Sequence, residues 1–168
     1  MTSSLTLLGL TDGDGEKTGK GYLDMVDFIV SGGGSQVAED LEELYRRVAF
    51  NICIGNTDDH FRNHAFLLGK GGWLLSPAYD MNPTGNVYHA LLIDGDSNDS
   101  NLDRLYEAHE HYMLNDTTAR GIIMDVVRNM KYWEGMAHDA RLARGEITLF
   151  ADRFERGMKF QHSSGLHI

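Results

Sequence analysis

Between residues 36 and 53 the chain places Val37, Leu41, Leu44, Tyr45, Val48, Ala49 and Ile52 three and four positions apart. That spacing lays one apolar stripe along one side of a helix of about five turns. Such a stripe must be covered along its length by other elements, so it limits the fold more than any other feature of the sequence. The helix runs straight into a ten-residue polar stretch, "GNTDDHFRNH" (55–64). Only two prolines, Pro77 and Pro83, stand in 168 residues, which leaves most of the chain free to be helical.

The remaining periodicity points the same way. Tyr22, Met25, Val26, Ile29 and Val30 form a second helical stripe over 21–30, and "SGGGS" then breaks the chain. After the polar stretch the pattern changes: "HAFLLG", "KGG" and "WLLSPAYD" read as two short strands joined by a glycine turn. Ser100 with Asp103 fits a capping box for a helix of about 101–114. Asp116 is placed to cap the next helix, whose face carries Ile122, Ile123, Val126, Val127, Met130, Trp133 and Ala137. A last helix near 147–160 carries Leu149, Phe150, Phe154 and Met158, and the terminal "QHSSGLHI" is expected to fray. The expected class is mostly α, one domain over 1–168, with one small β-hairpin beside the polar site.

Composition narrows the function. Hydrophobic residues make up 42% and charged residues 24%, the balance of a soluble globular chain. No apolar run approaches the roughly 20 residues of a membrane span. The start, "MTSSLTLLGL", lacks the basic opening and longer apolar stretch of a secretory signal, so the expected compartment is the cytoplasm. The lone Cys53 sits in "VAFNICIG" and reads as a small buried hydrophobe. Net charge is −10, with 15 acids against 6 bases in residues 1–100 and 10 against 9 in residues 101–168. A surface of that sign repels phosphate backbones, which argues against direct nucleic-acid binding and suits a divalent cation.

Several glycine- and acid-rich stretches fail their chemical tests. "GDGEKTGKG" (13–21) has Asp14 where a phosphate loop needs its first glycine and Gly21 where it needs Ser or Thr. It is expected to be a solvated turn, and "GGG" at 32–34 a linker. "DGDSND" (94–99) opens like a calcium loop but has Asp99 at the glycine position and Leu105 at the bidentate glutamate position. In "HEH" (109–111) the two histidines lie about 200° apart on a helix and cannot share a metal.

Three readings compete for 55–64. A polar turn with Asp58 or Asp59 as a cap explains one acid. A zinc hydrolase would use His60 and His64, which share a face if the stretch is helical, with Asp58 or Asp80 completing the set. Phosphoryl transfer fits the D-x-x-x-x-N spacing of Asp58 and Asn63. In that chemistry an acid accepts or orients the attacking hydroxyl, an amide oxygen five residues on holds Mg²⁺, and a carboxylate from a nearby strand binds the same ion. Asp80 follows the hairpin at that place.

The stretch "FNICIGNTDDHFRNHAFLLGKGGWLLSPAYDMNPT" (50–84) resembles the C-terminal lobe of HipA-like serine/threonine kinases. That family carries a comparable G-[N/A]-x-D-x-H-x-[R/K]-N segment, a hairpin and then L-[S/T]-P-x-Y-D. The resemblance, extended to nearly the whole chain, implies a helical kinase-like large lobe with Mg²⁺ and ATP as cofactors. It implies Asp58 as proton acceptor, Asn63 and Asp80 as magnesium ligands, and His60 and Arg62 as supporting residues. Asp59 falls where the family varies and receives no role. The family's β-rich nucleotide lobe, phosphate loop, ATP-contacting lysine and regulatory serine are not in this stretch, so a C-terminal piece, inactive by itself, is expected. The resemblance also implies a bacterial toxin–antitoxin pair, a protein substrate and a small DNA-binding antitoxin as partner. A kinase-shaped interaction module without catalysis and the His60/His64 hydrolase stand as alternatives.

Overall fold

The computed structural model describes residues 1–84 and 86–161. Strands β1 (Thr2–Ser3), β2 (Ala65–Gly69) and β3 (Gly72–Leu75) form one antiparallel sheet in the order β1-β2-β3. Around it stand helices α1 (Ser4–Leu7), α2 (Tyr22–Gly32), α3 (Val37–Ile54), α4 (Leu102–Glu107), α5 (Asp116–Met130), α6 (Trp133–Asp139) and α7 (Arg144–Gly157).

The α3 helix is the spine, and its predicted stripe is the core. Leu41, Leu44, Tyr45, Val48, Ala49 and Ile52 are all buried, covered by α5, α7, α2 and α4. Buried hydroxyls inside this core are satisfied: Tyr45 donates to Leu105 O at 3.1 Å and Tyr112 to Ile93 O at 2.8 Å. Cys53 is fully buried as expected, and burial pushes its thiol up to about 12. Among the described residues no helix is long and apolar enough to cross a membrane.

The hairpin forms where expected. Phe66 stands opposite Leu75 and Gly69 opposite Gly72, leaving Lys70–Gly71 as a two-residue turn. Phe66 meets Phe28 of α2 edge-on at 4.8 Å, which docks the sheet against that helix. The sheet has a third strand that the pattern did not reveal, β1, with Thr2 opposite Phe66 and Ser3 opposite Ala65. Two residues are too few to show an alternation.

Other expectations are corrected. Val30 is 47% exposed, because the α2 stripe turns away after Ile29. The predicted 101–114 helix is α4 followed by a 3₁₀ turn over His109–Tyr112. Its cap is Asn101, which accepts from the amides of Asp103 and Arg104, while Ser100 is engaged by His89 Nε2 at 3.0 Å. Asn115, not Asp116, caps α5; Asp116 instead accepts from the Tyr106 hydroxyl. The long predicted helix through Ala137 divides at Lys131–Tyr132, where the Tyr132 amide bonds back to Asn129 O. The break lets Trp133 turn onto Phe154 of α7, ring to ring at 4.8 Å. That last helix begins at Arg144, earlier than expected, and the terminal stretch from 162 onward lies outside the described residues. The acidic 94–99 loop is organised by Arg104, which bonds Asp94 at 2.5 Å and approaches Asp99 at 3.7 Å. The 13–21 stretch is more than a solvated turn. Gly21 lies so close to Leu92 that a Cβ there would sit 2.2 Å from its carbonyl oxygen.

Candidate functional site

Helix α3 stops at Gly55, whose left-handed backbone (φ 65°) ends the helix and redirects the chain. The stretch that follows is not an α-helix. His60 is extended, residues Phe61–Asn63 make one 3₁₀ turn, and His64 is extended again. The N-terminal segment braces this loop: the Ser4 hydroxyl donates to Phe61 O at 2.5 Å and His64 O at 3.1 Å, and the Ser4 amide to His64 O at 2.8 Å. From the other side Ala90 donates to Thr57 O at 2.9 Å.

The two adjacent acids have opposite surroundings. Asp58 is exposed and lines a cleft of about 430 Å³ with His60 and Arg62. The facing wall is the Asp12–Lys17 loop, and Tyr88 and His89 also contribute. Asp59 is 2% exposed and points into the core. Its Oδ2 accepts from the Tyr22 hydroxyl at 2.7 Å and the Asn51 amide at 2.6 Å, and lies 2.8 Å from His64 Nε2. Burial alone would raise the Asp59 carboxyl, but the charge and hydrogen bond of His64, with the Tyr22 hydroxyl, hold it below its ordinary range. The same burial and the neighbouring carboxylate push the Tyr22 phenol well above 10.0. His89, buried beside this cluster, is driven down to about 4 by desolvation, against the pull of Asp59.

The residues predicted from sequence are only partly brought together. The Asn63 amide nitrogen donates to the backbone oxygen of Asp58 at 3.4 Å, so these two share the loop and the Asn63 amide oxygen faces away from that carbonyl. Asp80 lies outside the lining of the Asp58 cleft. It is exposed, has a left-handed backbone (φ 56°), and accepts from Asn82 at 2.8 Å. Its neighbour Tyr79 is tied to the loop, donating to Arg62 O at 2.6 Å. The Arg62 guanidinium pairs with Asp12, and both side chains are exposed. His60 Nδ1 is buried without a hydrogen-bond partner.

The hydrolase expectation is overturned. His60 and His64 do not share a helical face, and His64 is spent on Asp59 in the core. Among the described residues no group of three or more His, Cys, Asp or Glu is placed to hold a metal ion. Sequence reasoning missed Asp59, Tyr22 and Asn51 as a unit. The available signal was Asn51, a polar residue inside the apolar run "VAFNICIG".

A family model described as HipA-like C-terminal domain matches residues 1–133. Among solved structures, HipA of Shewanella oneidensis MR-1, in a toxin–antitoxin complex with HipB and operator DNA, matches with a TM-score of 0.71 and 16% identity. The match covers 94% of this chain and 42% of that one, so the chain spans about two fifths of the solved HipA, and the likeness is one of fold. Among curated proteins the search finds no match.

Proposed function

The chain belongs to the family of HipA-like C-terminal domains, and from that premise we propose that it is the catalytic-loop part of a serine/threonine kinase using ATP and Mg²⁺. The observation that carries the reading is the split of the loop. Asp58 stands free in a cleft while Asn63, five residues on, is held against its backbone by a braced 3₁₀ turn. That is the arrangement in which one side chain handles a proton and another presents an amide oxygen to a cation.

In this reading the acceptor hydroxyl lies in the cleft beside Asp58. As its oxygen bonds to the γ-phosphorus and the bond to the bridging oxygen breaks, Asp58 takes the hydroxyl proton. Asn63 Oδ1 and the Asp80 carboxylate would hold Mg²⁺, which when bound offsets charge on the phosphate oxygens. One amide oxygen and one carboxylate suit that ion, which keeps several waters and takes the rest of its shell from phosphates. Arg62, paired with Asp12, draws the facing loop toward the cleft mouth. The wider setting, a toxin whose partner is a small DNA-binding antitoxin, is supported by the family and by the HipA–HipB–DNA complex that shares this fold.

The test is phosphoryl transfer from Mg-ATP, measured on the polypeptide as its gene encodes it. Asp58→Asn should lower transfer by about 10²–10³ or more, with the thermal midpoint unchanged. Transfer that survives the substitution removes Asp58 from its role.

One observation favours a second reading, a kinase-shaped module that binds a partner without catalysis: Asp80 is outside the cleft and engaged by Asn82. Calorimetric titration of the polypeptide as its gene encodes it separates the two. Mg²⁺-dependent ATP binding that is lost in Asp80→Ala supports the kinase, and no binding supports the module.

A further inference from the structure

We propose that Asp59 is a positioning residue: its buried carboxylate locks the 56–64 loop in the shape that holds Asp58 out in the cleft. This rests on the reading of Asp58 given above. The two side chains leave adjacent positions for opposite sides, one to solvent and one to a site 2% exposed. A single oxygen of Asp59 gathers Tyr22 from α2, Asn51 from α3 and His64 from the far end of the loop, at 2.7, 2.6 and 2.8 Å. An ionised carboxylate only accepts, so all three partners donate to it. For His64 that places a proton on Nε2, and its buried Nδ1 has no partner.

The bonds close a ring. Positions 59 and 64 are joined through one carboxylate, and the 3₁₀ turn bearing Asn63 lies between them. The start of the loop is fixed to the same helix residue, because Asn56 Nδ2 donates to Asn51 Oδ1 at 3.1 Å. Asn51 therefore holds the loop directly at 56 and through Asp59 at 59 and 64. A buried charge is costly and persists where donors surround it. Apolar side chains would fill the same space, but only directional hydrogen bonds fix the rotation of the backbone on which Asp58 sits.

Amide hydrogen exchange and kinetics, both on the polypeptide as its gene encodes it, test this together. Asp59→Asn should speed exchange of the 57–63 amides by at least about tenfold while the amides of α5 keep their rates. Tyr22→Phe, which removes one donor and keeps the ring, should give a smaller rise at the same amides and serves if Asp59→Asn does not fold. In the transfer assay both variants should lower kcat, Asp59→Asn by about 10²-fold, with KM for ATP unchanged. Exchange that is unchanged, or raised equally in the loop and α5, overturns the proposal. So does a local rise with kcat intact. If wild type and Asp58→Asn are equally silent in transfer, the kinase reading fails, and the exchange pattern alone decides whether Asp59 holds the loop.

Discussion

At the scale of single residues the molecule turns on burial of groups that water would normally keep. His89 is 2% exposed and titrates at about 4 instead of 6.5. Below 6.5 the unfolded chain takes up a proton at this site that the folded chain refuses, so unfolding becomes easier as pH falls. The contribution is complete above 6.5 and is lost between 6.5 and 4, by up to about 3 kcal/mol. Urea midpoints at pH 7 and pH 5 should therefore differ, and His89→Gln should narrow the gap; an equal gap in both proteins would remove His89 as its source. Asp59 adds a second acid-side loss in a lower window. Its carboxyl is depressed, so its stabilisation is present above the ordinary aspartate range and disappears as pH falls through its folded value. Cys53 is predicted to resist thiol reagents at neutral pH until the chain unfolds, since so little thiolate exists at a pKa of about 12. Rapid labelling of the native protein would contradict this.

At the scale of elements, α3 does most of the work. Leu44, fully buried on its stripe, is expected to cost about 2–5 kcal/mol when cut to alanine, read as a lower denaturation midpoint with the fold retained. Gly55→Ala should cost about 1–2 kcal/mol from its left-handed backbone, and a Cβ there would also meet the Arg153 side chain at 2.7 Å. These are the elements that could be read from the sequence, because helix and hairpin periodicities are local. The stripe on α3, the stop at Gly55 and the Lys70–Gly71 turn are all visible within a few residues. What stayed hidden depends on partners far away in the chain. The apolar pattern runs on through Lys131–Tyr132, so only the demand of Phe154 on Trp133 shows that the helix must break. Two adjacent aspartates look alike in sequence, and Asp59 is distinguished from Asp58 by Tyr22, 37 residues upstream, together with Asn51 and His64. The Asp12–Lys17 loop has the sequence of a solvated turn, and nothing local shows that it faces Asp58.

At the scale of the whole molecule the chain has two unlike faces. One gathers the acidic 12–17 loop, the 57–62 loop and the acid-free 86–90 segment around the polar cleft. The other is an apolar groove of about 850 Å³ between α3, α5, α6 and α7, floored by Phe50, Ile54, Trp133 and Phe154. With a net charge of −10 the chain by itself should not retard duplex DNA in a gel at physiological salt; a salt-sensitive shift would mean that a local basic surface overrides the total. The brace between the first four residues and the loop has a practical side for protein engineering. Thr2 pairs with Phe66 and the two strands are antiparallel, so anything linked ahead of Met1 would be led out alongside Leu67 and Leu68, away from the 56–64 loop. A load on that strand would still pull on the Phe61 and His64 carbonyls that Ser4 grips, so a tethered protein reports on its tether as well as on the loop.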